Sequence, residues 1–178
     1  MKYIKKSMFL MLILIGSMAS AKSFSLQVVQ KYGSETVVYE ASYVIEQTIM
    51  DYFYENLYIV SNSPVIIQKK GQDISSELQK AFDAAQEGYL DYVIQADVYY
   101  NLSDSNNPEE ALLNNIDKIE WKVLSIDSKH VLASGKAVPG KKYRNDEDGL
   151  YYFSNELAEH IKEQIELKGG KKWKNYSI

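Results

Sequence analysis

Between Tyr89 and Tyr100 the chain alternates with a period of two, placing Tyr92, Ile94, Ala96, Val98 and Tyr100 against Asp91, Val93, Gln95, Asp97 and Tyr99. Successive side chains of a strand point to opposite faces, so this run demands a sheet with the first set turned to the core. A second alternation over 116–126 sets Ile119, Trp121 and Val123 opposite Lys118, Glu120 and Lys122. Asp127-Ser128-Lys129 then turns the chain, and 130–138 returns as the partner arm of a hairpin.

The first half of the chain mixes this pattern with a helical one. Phe24 to Val29 reads as a short apolar strand ending at Gly33-Ser34. Over 35–56 the apolar positions Val37, Ala41, Val44, Ile45, Thr48, Ile49, Tyr52, Phe53 and Leu57 recur every three or four residues, predicting a long helix capped by Ser34. Tyr58-Ile59-Val60 and Val65-Ile66-Ile67 flank Pro64, which cannot donate to a ladder, so the second strand is expected to be short or broken. A second helix follows from an Asp73 cap to Glu87, with Ile74, Leu78, Ala81, Phe82 and Ala85 on one face and Gly88 as its stop. Leu150, Phe153, Leu157, Ile161 and Ile165 mark a last helix that starts near Gly149 and stops at Gly169-Gly170. The stretch 101–115, rich in turn formers, is expected to be the most mobile surface loop. Written as an order, these elements give β-α-β-α-β-β-α, an α/β (α+β) single domain whose mixed sheet carries helices.

The front of the chain sets an address. Lys2, Lys5 and Lys6 precede an apolar run from Met8 to Ile15, and Ala19-Ser20-Ala21 supplies the small residues that signal peptidase requires. Residues 1–21 therefore read as a cleavable secretory leader. The competing reading, a retained membrane anchor, needs about 20 apolar residues, more than this run contains. No cysteine follows, so a lipoprotein-type anchor and disulfides are both unavailable. Cleavage after Ala21 leaves 157 residues: one domain over 22–168 and a tail over 169–178. Loss of three lysines takes the formal net charge from −4 to −7, an acidity that argues against nucleic acid as a partner.

The order of elements and three segments carry a resemblance. Leu90-Asp91-Tyr92-Val93-Ile94-Gln95-Ala96, Trp121-Lys122-Val123-Leu124-Ser125-Ile126-Asp127 and Val131-Leu132-Ala133-Ser134-Gly135, closed by an amphipathic helix, resemble the N-terminal domain of the periplasmic Tol-system protein TolB. The same segments resemble related envelope modules, including the outer-membrane activators of penicillin-binding proteins. The likeness covers nearly all of the mature chain but lacks the large propeller into which TolB continues. It implies a non-catalytic module that binds other envelope proteins, with no catalytic residue to carry over.

The residues give little else to chemistry. There is no cysteine and no Gly-x-Ser-x-Gly elbow. His130 and His160 stand in no recognisable constellation. Asp91 and Asp97 share one side of a strand, but six residues at ~3.3 Å each separate them by roughly 20 Å, too far for paired-carboxylate hydrolysis. Asn145-Asp146-Glu147-Asp148-Gly149 lacks the ligand spacing of a calcium loop and reads as a cap for the helix that follows. No cofactor or metal is expected. Fifteen tyrosines are the more suggestive feature. Tyr99, Tyr143, Tyr151 and Tyr152 fall at strand ends, in loops or off the core side of a helix, as does Trp173 in the basic, aromatic tail. Exposed tyrosine favours partner binding, while packing at the rim of the core is the plainer account of most of them. The tail is compatible with an anionic membrane surface, with a partner, or with no order at all.

Two functional readings remain. The first is a non-catalytic periplasmic or envelope-associated protein-binding or assembly module, whose partners are envelope proteins of a cell-wall or outer-membrane machine. The alternative is a small secreted hydrolase or ligand-binding protein with its site in the 101–115 and 141–148 loops. As a structural subunit of an envelope machine it would differ from the first reading only in stoichiometry.

Overall fold

A computed structural model describes residues 21–169 apart from 102, 104 and 106. The expected leader, but for Ala21, and the tail with Trp173, but for Gly169, lie outside the described residues. Five strands, β1 (Ser23–Lys31), β2 (Ile59–Gln68), β3 (Tyr92–Tyr100), β4 (Ile116–Ser125) and β5 (Val131–Ala137), form one mixed sheet in the order β2-β1-β3-β4-β5. Three helices, α1 (Glu40–Glu55), α2 (Ser75–Glu87) and α3 (Glu147–Gly169), pack on it. The fold class is the one expected. The order β-α-β-α-β-β-β-α has one strand more than the written expectation, because β3 and both hairpin arms are separate members of the ladder.

Chain direction explains which helix covers which face. β1 passes through α1 to its parallel neighbour β2, and β2 returns through α2 across β1 to β3. Crossovers between parallel strands are right-handed, so reversing the direction of travel along the sheet puts the two helices on opposite faces. Phe24, Leu26, Val28, Ile94, Ala96, Val98, Ile119 and Val123 face α1 and α3, each at 0% exposure. The α3 stripe of Leu150, Phe153, Leu157, Ile161 and Ile165 is buried as its spacing predicts. Each of the Val, Leu, Ile and Phe side chains among them contributes about 1.5–3 kcal/mol on burial, so this face holds most of the apolar stabilisation.

Two helix starts depart from expectation. Residues 35–39 are not helical, and Ser34 instead accepts from the amides of Thr36 and Val37 in a local turn. The cause is Gln30, fully buried at the end of β1. Its amide oxygen accepts from the Tyr39 N–H at 2.8 Å and its amide nitrogen donates to the Val37 carbonyl at 2.9 Å. Those backbone groups are committed elsewhere, and the helix begins only at Glu40. For α2, Asp73 accepts from the amide and hydroxyl of Ser75, and the helix follows at Ser75. Gly88 sits at its end with an ordinary φ of −75°, and the left-handed residue is Tyr89 at φ 54°.

β2 is continuous across Pro64, contrary to the short or broken strand expected. It is an edge strand, and its register against β1 jumps between the pairs Gln27–Ser63 and Val29–Ile66. The extra residue on β2 is a bulge that spares proline a ladder bond, and the buried Gln27 side chain donates to the Pro64 carbonyl at 2.9 Å.

The second half of the 101–115 loop is tied down rather than free at the surface. Ala111, Leu113 and Asn115 are buried, and the Asn115 side chain donates to the carbonyls of Asn107 and Glu110. Asp146 caps α3 by accepting from the Gly149 amide at 2.9 Å, the role expected of that acidic stretch.

Candidate functional site

The face of the sheet away from α1 and α3 is only half covered. α2 packs on β1 and β3, laying Ile74, Ala81 and Ala85 over Val93 and the neighbouring part of the sheet. Beyond it, strand register sets three rows side by side: Gln95, Lys122 and Ser134; Asp97, Glu120 and Lys136; Lys31, Tyr99 and Lys118. α2 borders the first row, where Gln95 is buried, and among the described residues no helix lies over the other two. They lie on the non-core side of the two alternations that define β3 and β4, which is why they are polar.

Tyr99 is the centre of this bare half. Its ring lies 4.2 Å from the Lys118 ammonium and 5.0 Å from that of Lys31, and it packs at 5.6 Å against the ring of Tyr32. Its hydroxyl donates to Glu120 at 3.0 Å. Burial, then the Glu120 hydrogen bond, raise the Tyr99 hydroxyl above its ordinary value despite the opposing pull of Lys31. The Lys118 hydrogen bond, followed by that from Tyr99, holds the Glu120 carboxyl below the usual range. Lys31 donates to Asp97 at 2.6 Å. Burial alone would lower the Lys31 ammonium, but the hydrogen bond and charge of Asp97 more than offset it and leave it raised. Lys122 and Lys136 have no carboxylate within 4.0 Å among the described residues, and with Gln95 and Ser134 they line a shallow depression of about 450 Å³.

The other singled-out tyrosines lie elsewhere. Tyr143 packs edge-on against Phe153 at 5.6 Å and donates to Glu156 at 2.7 Å, clamping the 138–146 loop onto α3. Tyr151 and Tyr152 form an edge-on pair at 5.7 Å on α3, 46% and 63% exposed. The structure thus gathers three tyrosines at the start of α3 and puts Tyr99 on the opposite layer. Sequence reasoning weighed Asp97 only as a carboxylate partner of Asp91 and did not single out Lys31, Glu120, Lys122 and Lys136. The alternation of β4 carried a signal for Glu120 and Lys122, but the rows that join them to β1 and β5 exist only once strands are paired.

Among the described residues no histidine nitrogen is bonded to a serine or threonine hydroxyl: His160 lies edge-on to Trp121 at 5.8 Å, and His130 is exposed at the hairpin turn. Asp91 accepts from the Ser23 amide and hydroxyl while Asp97 pairs with Lys31, so the two carboxylates serve separate ends of the sheet. Among the described residues no group of three or more His, Cys, Asp or Glu is placed to hold a metal ion. The loops of the alternative reading do meet, through the Asn114 amide and Asn145 side chain at 2.8 Å, a contact between amide groups that carries no titratable pair.

Several solved structures are similar to the chain in part. PelC from Paraburkholderia phytofirmans, a dodecamer, is 10% identical over 79% of this chain and 88% of its own, with a TM-score of 0.49. TolB from Acinetobacter baumannii is 9% identical over 82% of this chain and 28% of its own, at 0.43. The LpoB C-terminal domain from Salmonella enterica is 11% identical over 70% of this chain and 87% of its own, at 0.38. The TolB-like resemblance read from the sequence has its counterpart among them. No curated protein matches the sequence. Residues 23–166 match the model of a family described as "Uncharacterised protein", and the chain belongs to that family.

Proposed function

We propose that the chain is an exported, non-catalytic protein-binding module of the cell envelope, and that the bare half of its sheet is the surface it offers. The carrying observation is the arrangement around Tyr99: an aromatic ring between two ammonium groups, on rows of mixed charge that no helix among the described residues covers. A flat mixed-charge surface with an aromatic centre suits a protein partner, because aromatic rings supply contact area at low entropic cost and flanking charges fix orientation. Tyr151 and Tyr152 are a second exposed aromatic pair, and Trp173 a third candidate contact in the basic tail. Tyr143 supports the first of these by holding its loop against α3.

Export follows from the leader, with cleavage after Ala21. The reading is supported by the start of β1 at Ser23, which leaves only Lys22 between the cleavage site and the sheet. No helix among the described residues is long and apolar enough to cross a membrane. The test combines two measurements on protein from its native cells. Its first residue should be Lys22. Envelope proteins that co-purify with it at low salt should be lost when Tyr99→Ala and Lys118→Glu are combined. An intact N-terminus would refute the address, and a chain recovered only as a free monomer would refute the binding role.

A further inference from the structure

Resting on that reading, we propose that the outer edge of β5 accepts an extended, acidic segment of a partner protein as a sixth strand. The two edges of the sheet differ in what they present. β2 carries Pro64 and a bulge, two features by which natural edge strands discourage pairing. β5 pairs with β4 alone and contains no proline; its one register shift lies at its start, where Leu132 is the extra residue between the pairs Leu124–Val131 and Val123–Ala133, and the rest runs in register to Ile119–Ala137. Its outward amides and carbonyls face no other strand among the described residues, and exposed Val131 opens it while Val138 follows it, 53% and 57% accessible.

An added strand sends alternate side chains to opposite faces of the sheet. On one face it meets a groove of about 460 Å³ between β5 and α3, where Ala137, Val138, Tyr143, Phe153 and Leu157 offer apolar surface beside the Lys142–Glu156 ion pair, and this surface takes apolar side chains. On the other face it meets Lys136 and Lys122, whose ammonium groups have no carboxylate within 4.0 Å among the described residues and take acidic side chains. The charge of the region points the same way: residues 118–144 hold seven basic and two acidic residues in a chain of net charge −4. That imbalance also disfavours a second copy. Joining two β5 edges would bring two such basic regions together, and their like charges repel.

The test uses the purified mature chain and a synthetic eight-residue peptide alternating Val and Glu. Binding is followed by Trp121 fluorescence, since that ring lies over Gly135 of β5, and by deuterium uptake. The peptide should slow exchange at β5 amides and not at β2. Its affinity should fall at least tenfold when its amides on one edge are N-methylated, and again with Lys136→Glu. A Val–Lys peptide should not bind. No binding of the Val–Glu peptide, equal affinity after N-methylation, protection at β2 instead of β5, or indifference to Lys136→Glu would each overturn the edge. Envelope partners that still co-purify with Lys136→Glu would place binding elsewhere and leave the module reading intact, whereas their absence with the unaltered chain would remove that reading itself.

Discussion

The two faces of the sheet are built from the same strands, and they do opposite things. On the side of α1 and α3, residues such as Phe24, Leu26, Ile94 and Ile119 are wholly buried and two long helices seal them. On the other side a 13-residue helix covers β1 and part of β3 and stops. Past its reach, the same positions of the alternation carry Asp97, Tyr99, Lys118, Glu120, Lys122 and Lys136. Helix coverage, rather than strand pattern, decides which half-face is core and which is surface. One face is therefore expected to answer to stability measurements and the other to binding.

The largest effect belongs to the sealed face. Phe24 is fully buried and packs edge-on against Phe53 at 4.7 Å, so Phe24→Ala should cost about 3–5 kcal/mol in denaturant unfolding. Tyr99→Ala on the bare half should cost under about 1 kcal/mol and abolish partner capture. Equal stability losses from the two would erase the distinction. Next comes the boundary between sheet and α3. A methyl group on Gly135 would lie 2.6 Å from the Trp121 ring, which rests on that glycine, so Gly135→Ala should cost about 1–3 kcal/mol and shift tryptophan emission.

The smallest and most discriminating effects come from two glutamates, one associated with each face. Glu46 on α1 is buried, and burial raises its carboxyl above the ordinary value despite a hydrogen bond from Asn62. A raised carboxyl contributes stability below its unfolded value, near 4.5, and loses it as pH rises through the folded value. Glu46→Gln should accordingly raise Tm at pH 7, with the gain vanishing below pH ~4. Glu120 on the bare half is lowered, so its contribution is present above 4.5 and disappears as pH falls through the folded value. Glu120→Gln should lower Tm slightly at pH 7 and leave it unchanged in acid. Thermal melts from pH 3 to 8 separate the two, and matching signs would contradict the assignment of burial on one side and hydrogen-bonded exposure on the other.

Much of this architecture was legible in the sequence wherever a single element determines its own pattern. The alternation of β3, the hairpin and the five-residue stripe of α3 each fix which side is buried without reference to a neighbour. What failed depended on a tertiary partner. The start of α1 is set by the buried Gln30 amide nine residues before Tyr39, and the continuity of β2 by a bulge opposite Gln27. The candidate site was partly legible for a related reason. Tyr99 stands out as an off-core tyrosine, but Lys31, Glu120 and Lys136 become its neighbours only through register across four strands, and their exposure depends on where α2 ends.

The most direct test is photo-crosslinking in intact cells from position 118, on the bare half, against position 43, where exposed Tyr43 lies on the outer side of α1. Discrete adducts with envelope proteins from 118 and none from 43 are expected. Adducts from 43 alone, or equal labelling from both, would contradict a binding surface on the uncovered rows.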